Sequence, residues 1–268
     1  MPDSRGAEAD SMMYVLVWLV AFAASALTFI SGFGLGTLLL PVFAIFMPVE
    51  RAVALTAVVH FLNGLFKLAL VGRRIDWPVV MRFGGPALLA SLVGAWWLVA
   101  LASRPPLFSY TWQGRLFDIT FAKLVISALL LVFVLVEWLP RWKRLAVPPA
   151  YMPLGGVLSG LAGGISGMQG ALRAAFLSRA GLDKDAFVAT SAMVACLIDV
   201  SRLGIYLPML QRQRDAIDVP LLAGAVVAAG AGALVGRRHL ERLTMDRVRQ
   251  LVAVMLLVMA VTMALGLL

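Results

Sequence analysis

Two glycine-rich interruptions inside apolar segments constrain this chain more than any other feature. The first is Ser31-Gly32-Phe33-Gly34-Leu35-Gly36. The second, half a chain later, is Gly163-Gly164-Ile165-Ser166-Gly167-Met168-Gln169-Gly170. Glycine in a membrane-length segment frees backbone N–H and C=O groups that hydrocarbon cannot satisfy. Such a break is tolerated only where it is buried in protein or lines a cavity. Matching breaks in the two halves of one chain point to a binding site where the halves meet, as in secondary transporters.

Composition fixes the class. The chain has 268 residues, 62% of them hydrophobic and 14% charged, and its mean hydropathy is +0.93. Charged residues make up about a quarter of an ordinary soluble domain, so a polytopic helical membrane protein is expected. The net charge of +9 does not signal nucleic acid, because the basic residues sit in short loops where Lys and Arg report topology. The single cysteine, Cys196, excludes an intrachain disulfide and a cysteine metal cluster. It reads as a packed, inert thiol. The first ten residues carry Asp3, Glu8 and Asp10 against Arg5. They lack the basic start of a signal peptide, so the first apolar segment is expected to be retained.

The apolar segments run over 12–47, 51–71, 79–101, 121–139, 151–180, 186–210, 217–236 and 247–268. Segments 12–47 and 151–180 are too long for one simple span of about 20 residues, and each contains a break. Each also leaves a short second arm, Thr37–Met47 and Ala171–Ala180. If each broken segment crosses once, basic residues distribute evenly between the two sides. If each is a re-entrant hairpin, Arg73, Arg74, Arg82, Arg141, Lys143, Arg144, Arg179, Lys184, Arg237, Arg238, Arg242, Arg247 and Arg249 collect on one side. Most acidic loop residues then lie on the other. That asymmetry is the positive-inside pattern and favours hairpins, with both termini outside the cytoplasm.

A hairpin plus three spans is an odd number of crossings, so a second copy inserts upside down. Ser31 aligns with Ser166, Gly32 with Gly167, Thr56 with Ser191 and Lys67 with Arg202. The expected fold is an all-α polytopic membrane protein with an inverted-topology repeat. Residues 1–140 form the first repeat, 141–149 a basic, proline-rich linker and 150–268 the second repeat. Tyr14, Trp77, Trp138, Trp142 and Tyr151 flank spans as interfacial anchors. Ser103 to Asp118 is the longest external connection.

The arm after each break begins with unpaired N–H groups, which together with the helix dipole favour an anion. Ser31, Gly32, Phe33, Gly34, Gly36 and Thr37 from the first break are substrate-binding candidates, as are Ser166, Gly167, Gln169, Gly170 and Arg173 from the second. Close packing through Gly32-xxx-Gly36 and Gly160-xxx-Gly164 is the competing explanation. Arg173 lies at membrane depth, where a cation is expensive and marks function. Its planar fork suits an oxyanion.

His60, Asn63 and Lys67 share one helix face. Lys67 and Arg202 are placed near the cytoplasmic ends of their helices, where they either snorkel or guide an anion. Asp199 and Arg202 have the spacing of an intrahelical pair. Asp199 and His60 are the candidates for proton coupling. No paired-histidine zinc motif, phosphate-binding Gly-Lys-Ser/Thr loop or strand-borne serine elbow is present. Neither catalysis nor a cofactor is therefore expected. The partners expected are a small anion, protons and the lipid bilayer.

The repeated pattern resembles the TauE/SafE sulfite exporter family of bacterial membrane permeases. The resemblance rests on SGFGLGTLLLPVFAIF at 31–46, ERAVALTAVVHFLNGLFK at 50–67, LAGGISGMQGALRAAFLSRAGLDKDAFVATSAM at 161–193 and DVSRLGIYL at 199–207. It implies secondary transport, across the inner membrane, of sulfite, thiosulfate, sulfoacetate or a related organosulfonate, with both glycine turns lining the path. Family members often carry a proline after the second turn, as Pro41 follows the first; here Arg173 and Phe176 occupy that stretch. A non-transporting membrane scaffold and an anion channel are the alternatives. The topology predicts that a reporter active only in the cytoplasm is silent when fused after Leu268; activity there contradicts it.

Overall fold

The computed structural model describes residues 4–27, 29, 35–138, 148–212, 217–239 and 245–268. Ser31, Gly32, Phe33 and Gly34 lie outside the described residues, as does most of the 141–149 linker. The fold is helical, as expected for a polytopic membrane protein. Helices α1 (Ser4–Leu27) and α2 (Leu35–Phe46) flank the first break, and α3 (Val49–Val71) follows. Next come α4 (Trp77–Ala102) and α5 (Phe121–Trp138). The second half holds α6 (Met152–Ser166), α7 (Gly170–Leu177), α8 (Lys184–Arg212), α9 (Val219–His239) and α10 (Met245–Ala264). Among the described residues, four helices are long and apolar enough to cross a membrane: α3 with the turn after it, α4, α8 and α9.

Local chemistry sets the breaks between elements. Asp76 accepts the Val79 N–H at 2.9 Å, capping α4, while its own N–H donates to Thr190 Oγ1 at 2.9 Å. That ties the α3–α4 turn to α8. A π-helical stretch over Val80–Gly84 precedes Pro86. Proline cannot donate to the preceding turn, and the widened turn accommodates it. At the second break Gly167 has φ +77°, a left-handed conformation that ends α6 and suits glycine.

The chain reverses at that break. Phe176 of α7 lies against Gly155 of α6, and the same cluster joins Met152 to Phe176 and Leu177. The Ser159 hydroxyl also donates to the Gln169 carbonyl at 3.1 Å. Residues progressively farther after the turn thus meet residues farther before it, and α6–α7 is a hairpin.

Close approaches give the other helix directions. Along α4 and α6, Phe83 meets Gly156, Ala87 meets Gly160 and Ser91 meets Gly164, so these helices are parallel. Trp18, Phe22 and Ala26 of α1 meet Gly224, Gly232 and Gly236 of α9, also in parallel. At the centre α3 and α8 are antiparallel: His60 contacts Asp199, Gly64 abuts Cys196 and Lys67 shares a cavity with Ser191. Because α3 and α8 run oppositely, Lys67 and Arg202 lie toward opposite ends of the pair. The expectation that both sit at cytoplasmic ends is corrected accordingly.

Large apolar side chains such as Met81, Leu89, Trp96, Val227 and Val258 face outward, the arrangement a lipid-facing surface requires. Tyr14 does more than anchor an interface: its hydroxyl donates to Asp218 Oδ2 at 2.5 Å, beside the N-terminus of α9. The connection after α4 is ordered. It forms an antiparallel hairpin, β1 (Phe108–Trp112) and β2 (Arg115–Ile119), turning at Gln113-Gly114. The Tyr110 hydroxyl docks it on the Leu265 carbonyl at 2.6 Å.

The α4–α6 contact leaves no room for a side chain at Gly156, Gly160 or Gly164. A Cβ at Gly160 would collide with the Ala87 backbone. Gly160→Val is therefore expected to lower stability by more than the ~1–3 kcal/mol typical of overpacked cores, because backbone rather than a flexible side chain must move. Thermal unfolding of purified protein checks this; an unchanged midpoint contradicts the packing.

Candidate functional site

The two breaks meet at the crossing of α3 and α8. A Cβ placed on Gly36 would lie 3.2 Å from the Gly167 carbonyl oxygen, 3.8 Å from His60 Cδ2 and 3.9 Å from Thr56 Cγ2. One residue on, Thr37 is buried in α2. Gly36, Gly167 and His60 thus form one junction.

One wall of the junction is a buried ionic network. Asp199 Oδ2 is 2.6 Å from His60 Nδ1. Asp199 Oδ1 accepts from Arg202 Nε at 3.0 Å and from Gln169 Nε2 at 3.2 Å, and Arg202 Nη2 is 2.8 Å away. The carboxylate therefore links α3, α8 and the second break.

Arg202 also serves the end of α6. The last carbonyls of a helix lack intrahelical partners, and a cation there complements the dipole. Arg202 Nη1 donates to the Gly163 carbonyl at 3.4 Å, and the Tyr206 hydroxyl donates to the Gly164 carbonyl. Gly167 is confined by the same arginine, since a Cβ there would fall 2.8 Å from Arg202 Nη1. Arg202 and Asp199 are both fully buried, so Arg202 does not reach an interface.

On the other side of His60 lies a small cavity of about 30 Å³. Phe29, His60, Asn63, Lys67, Arg173 and Ser191 are among its lining residues. Arg173 is 2% exposed and donates from Nε to Ser191 Oγ at 2.8 Å. Lys67 Nζ sits 5.5 Å from the Phe29 ring centroid, within cation–π range. Asn63 Oδ1 accepts from Ser25 Oγ at 3.1 Å, fixing the α1–α3 contact. No carboxylate lines this cavity among the described residues.

The predicted residues therefore divide. Lys67, Arg173, His60 and Asn63 come together at the cavity, and Gln169, Asp199 and Arg202 form the adjoining network. Gly170 is buried at the start of α7. Ser166 is occupied within its own turn, donating to Ala162 O at 2.9 Å and accepting from Met168 N–H at 3.3 Å. Sequence reasoning did not single out Phe29, Thr56, Ser191 or Tyr206 as site residues. The alignment of Thr56 with Ser191 was the available signal for two of them. Thr56 Oγ1 and Gln169 Oε1 are buried without a hydrogen-bond partner among the described residues. Buried polar atoms of this kind usually have water or ligand as partner.

Two wider depressions flank the centre. One, of about 510 Å³, lies at the α8 C-terminus among Glu50, Trp96, Ser103 and Arg212. The other, of about 500 Å³, lies at the α3 C-terminus among Arg73, Arg74, Asp185 and Arg237. The α3–α8 crossing separates them.

A basic cavity thus adjoins the junction of two helix breaks, and the family model for the sulfite exporter TauE/SafE matches residues 17–263. The chain belongs to the TauE/SafE family. No match to a curated protein or to a solved structure accompanies it. The family is one of membrane transporters of sulfite and related sulfur anions, so this is a membrane protein of a permease family.

Removing one member of a buried ion pair costs about 3–5 kcal/mol, while replacing both by apolar groups is often neutral or better. Asp199→Leu alone should therefore lower thermal stability strongly, and Asp199→Leu with Arg202→Met should recover part of the loss. Additive losses in this double-mutant cycle would contradict the coupling.

Proposed function

We propose that the protein is a secondary transporter carrying a small anion, a sulfur oxyanion or small organosulfonate, across the bacterial inner membrane by alternating access. The carrying observation is the buried cavity beside the junction of the two breaks, where Lys67 and Arg173 line a common space with His60. Basic side chains at membrane depth are rare and mark functional sites, and a small anion is the ligand their charge favours. The guanidinium of Arg173 offers directed donors while Lys67 acts as a point charge.

The cavity volume favours a compact oxyanion over a bulky organic acid. Thr56 and Gln169, adjoining it at the junction, retain buried polar atoms for further hydrogen bonds. Gly36 and Gly167 let the two turns approach without side chains between them. The flanking depressions suit a cycle in which the central cavity opens first to one and then to the other. The antiparallel α3–α8 pair, and the exchange of α1 with α9 and of α6 with α4 between halves, support an inverted repeat with boundaries near 1–140 and 150–268. Rocking of one half against the other is the motion such repeats support. Movement of an anion through this cavity requires no chemical step, so the protein acts as a carrier rather than an enzyme.

Counterflow of radiolabelled sulfite and thiosulfate in proteoliposomes tests this. A charged hydrogen bond contributes about 1.5–3 kcal/mol, so Arg173→Gln should weaken apparent affinity by about tenfold or more, and Lys67→Gln should act in the same direction. Glu50→Gln, in the depression at the α8 C-terminus, should have little effect. Saturable uptake that is unchanged in both cation variants would reject this site. Absence of anion uptake by the wild type, whichever sulfur anion is offered, would reject the transport reading itself.

A further inference from the structure

We infer that His60 is the proton-binding residue of the anion site: its free ring nitrogen, Nε2, takes up a proton together with the anion, and Asp199 only positions the ring. The inference rests on the anion-transport reading and adds a second, coupled ligand to the same cavity.

The assignment follows from the distribution of partners. Both Asp199 oxygens are committed, Oδ2 to His60 Nδ1 and Oδ1 to Arg202 and Gln169. Asp199 is fully buried, whereas the His60 side chain is 13% exposed and lines the cavity. A carboxylate bound by a guanidinium is an acceptor, so Nδ1 carries hydrogen and donates to it. The second-position partner of a histidine sets which ring nitrogen is left for chemistry. Here that is Nε2, which has no hydrogen-bond partner among the described residues. The groups facing His60 are Asp199 and Arg202 from α8, Arg173 from α7, Lys67 on its own helix and the Cys196 thiol nearby on α8.

With the cavity empty, a proton on Nε2 would add positive charge beside Lys67, which lines the same cavity. With an anion bound, the same proton is attracted rather than repelled. Anion and proton therefore bind with positive coupling, and the coupling is reciprocal. Each raises the affinity for the other, so anion binding tightens as pH falls, by at most about tenfold per pH unit for one proton. Proton uptake adds one N–H bond at Nε2 and leaves the Asp199 hydrogen bond at Nδ1 intact. On release, the proton leaves Nε2 for water on the side to which the cavity opens, together with the anion.

The test is isothermal titration of purified full-length protein with thiosulfate, a dianion that does not itself titrate near neutrality. It is run in buffers of different ionisation enthalpy across pH 5.5–8. Heat that depends on the buffer counts protons taken up on binding. The wild type should take up protons on binding, up to about one per anion. His60→Gln should bind more weakly and take up essentially none. Lys67→Gln should lose affinity but keep the uptake, and Asp199→Asn should keep uptake while moving the pH at which it is greatest. Binding without proton uptake in the wild type overturns the inference, as does uptake that persists in His60→Gln or vanishes in Lys67→Gln. Because the wild-type measurement alone can overturn it, a poorly folding His60 variant does not protect the inference. Failure of thiosulfate, sulfite and methanesulfonate to bind or cross at all would instead defeat the transport reading.

Discussion

The carboxylate of Asp199 is the group on which the centre of this protein depends. It is buried, yet it draws together an imidazole from α3, a guanidinium from α8 and an amide from the second break. Each of those partners then has a further task. Arg202 reaches the Gly163 carbonyl left open where α6 ends. His60 borders the cavity, and Gln169 fixes the entry into α7. A backbone break at membrane depth persists only when other parts of the protein satisfy it. In the second half, Arg202 and Tyr206 do so on the carbonyl side.

The same network adjoins a cavity lined by basic side chains. Arg202 pairs with Asp199, and Lys67 and Arg173 line the neighbouring cavity. Structure and selectivity thereby separate along the α3–α8 pair. One end of the crossing holds the Asp199–Arg202 pair; the other is lined by basic side chains in a low-dielectric setting, where an anion interacts strongly. The glycine stripes of α6 and α9 hold the surrounding frame close enough for these short contacts to form.

Much of this was legible in the sequence. Glycine breaks in overlong apolar segments announced turns inside the membrane, and the chain does reverse between Ser166 and Gly170. Arg173 stood out because a cation at that depth demands a reason. Other features were hidden. Arg202 is separated from Asp199 by one helical turn, which local spacing revealed, but His60 meets the same carboxylate from the other half of the chain. No local pattern encodes such a contact. The helix directions corrected the placement of Lys67 and Arg202, because aligned positions in oppositely running helices cannot share an end. The β-hairpin after α4 did have a signal: aromatic residues alternate from Phe108 to Trp112, and Gln113-Gly114 supplies the turn.

The central claim is that an anion occupies the space bounded by Arg173, Lys67 and His60. A structure determined with selenate, located by the anomalous scattering of selenium, tests it most directly. The account predicts one principal selenium peak within hydrogen-bonding distance of the Arg173 guanidinium and Lys67 Nζ, lost in Arg173→Gln. Selenium found only in the outer depressions, with the cavity dry and unchanged, would contradict it.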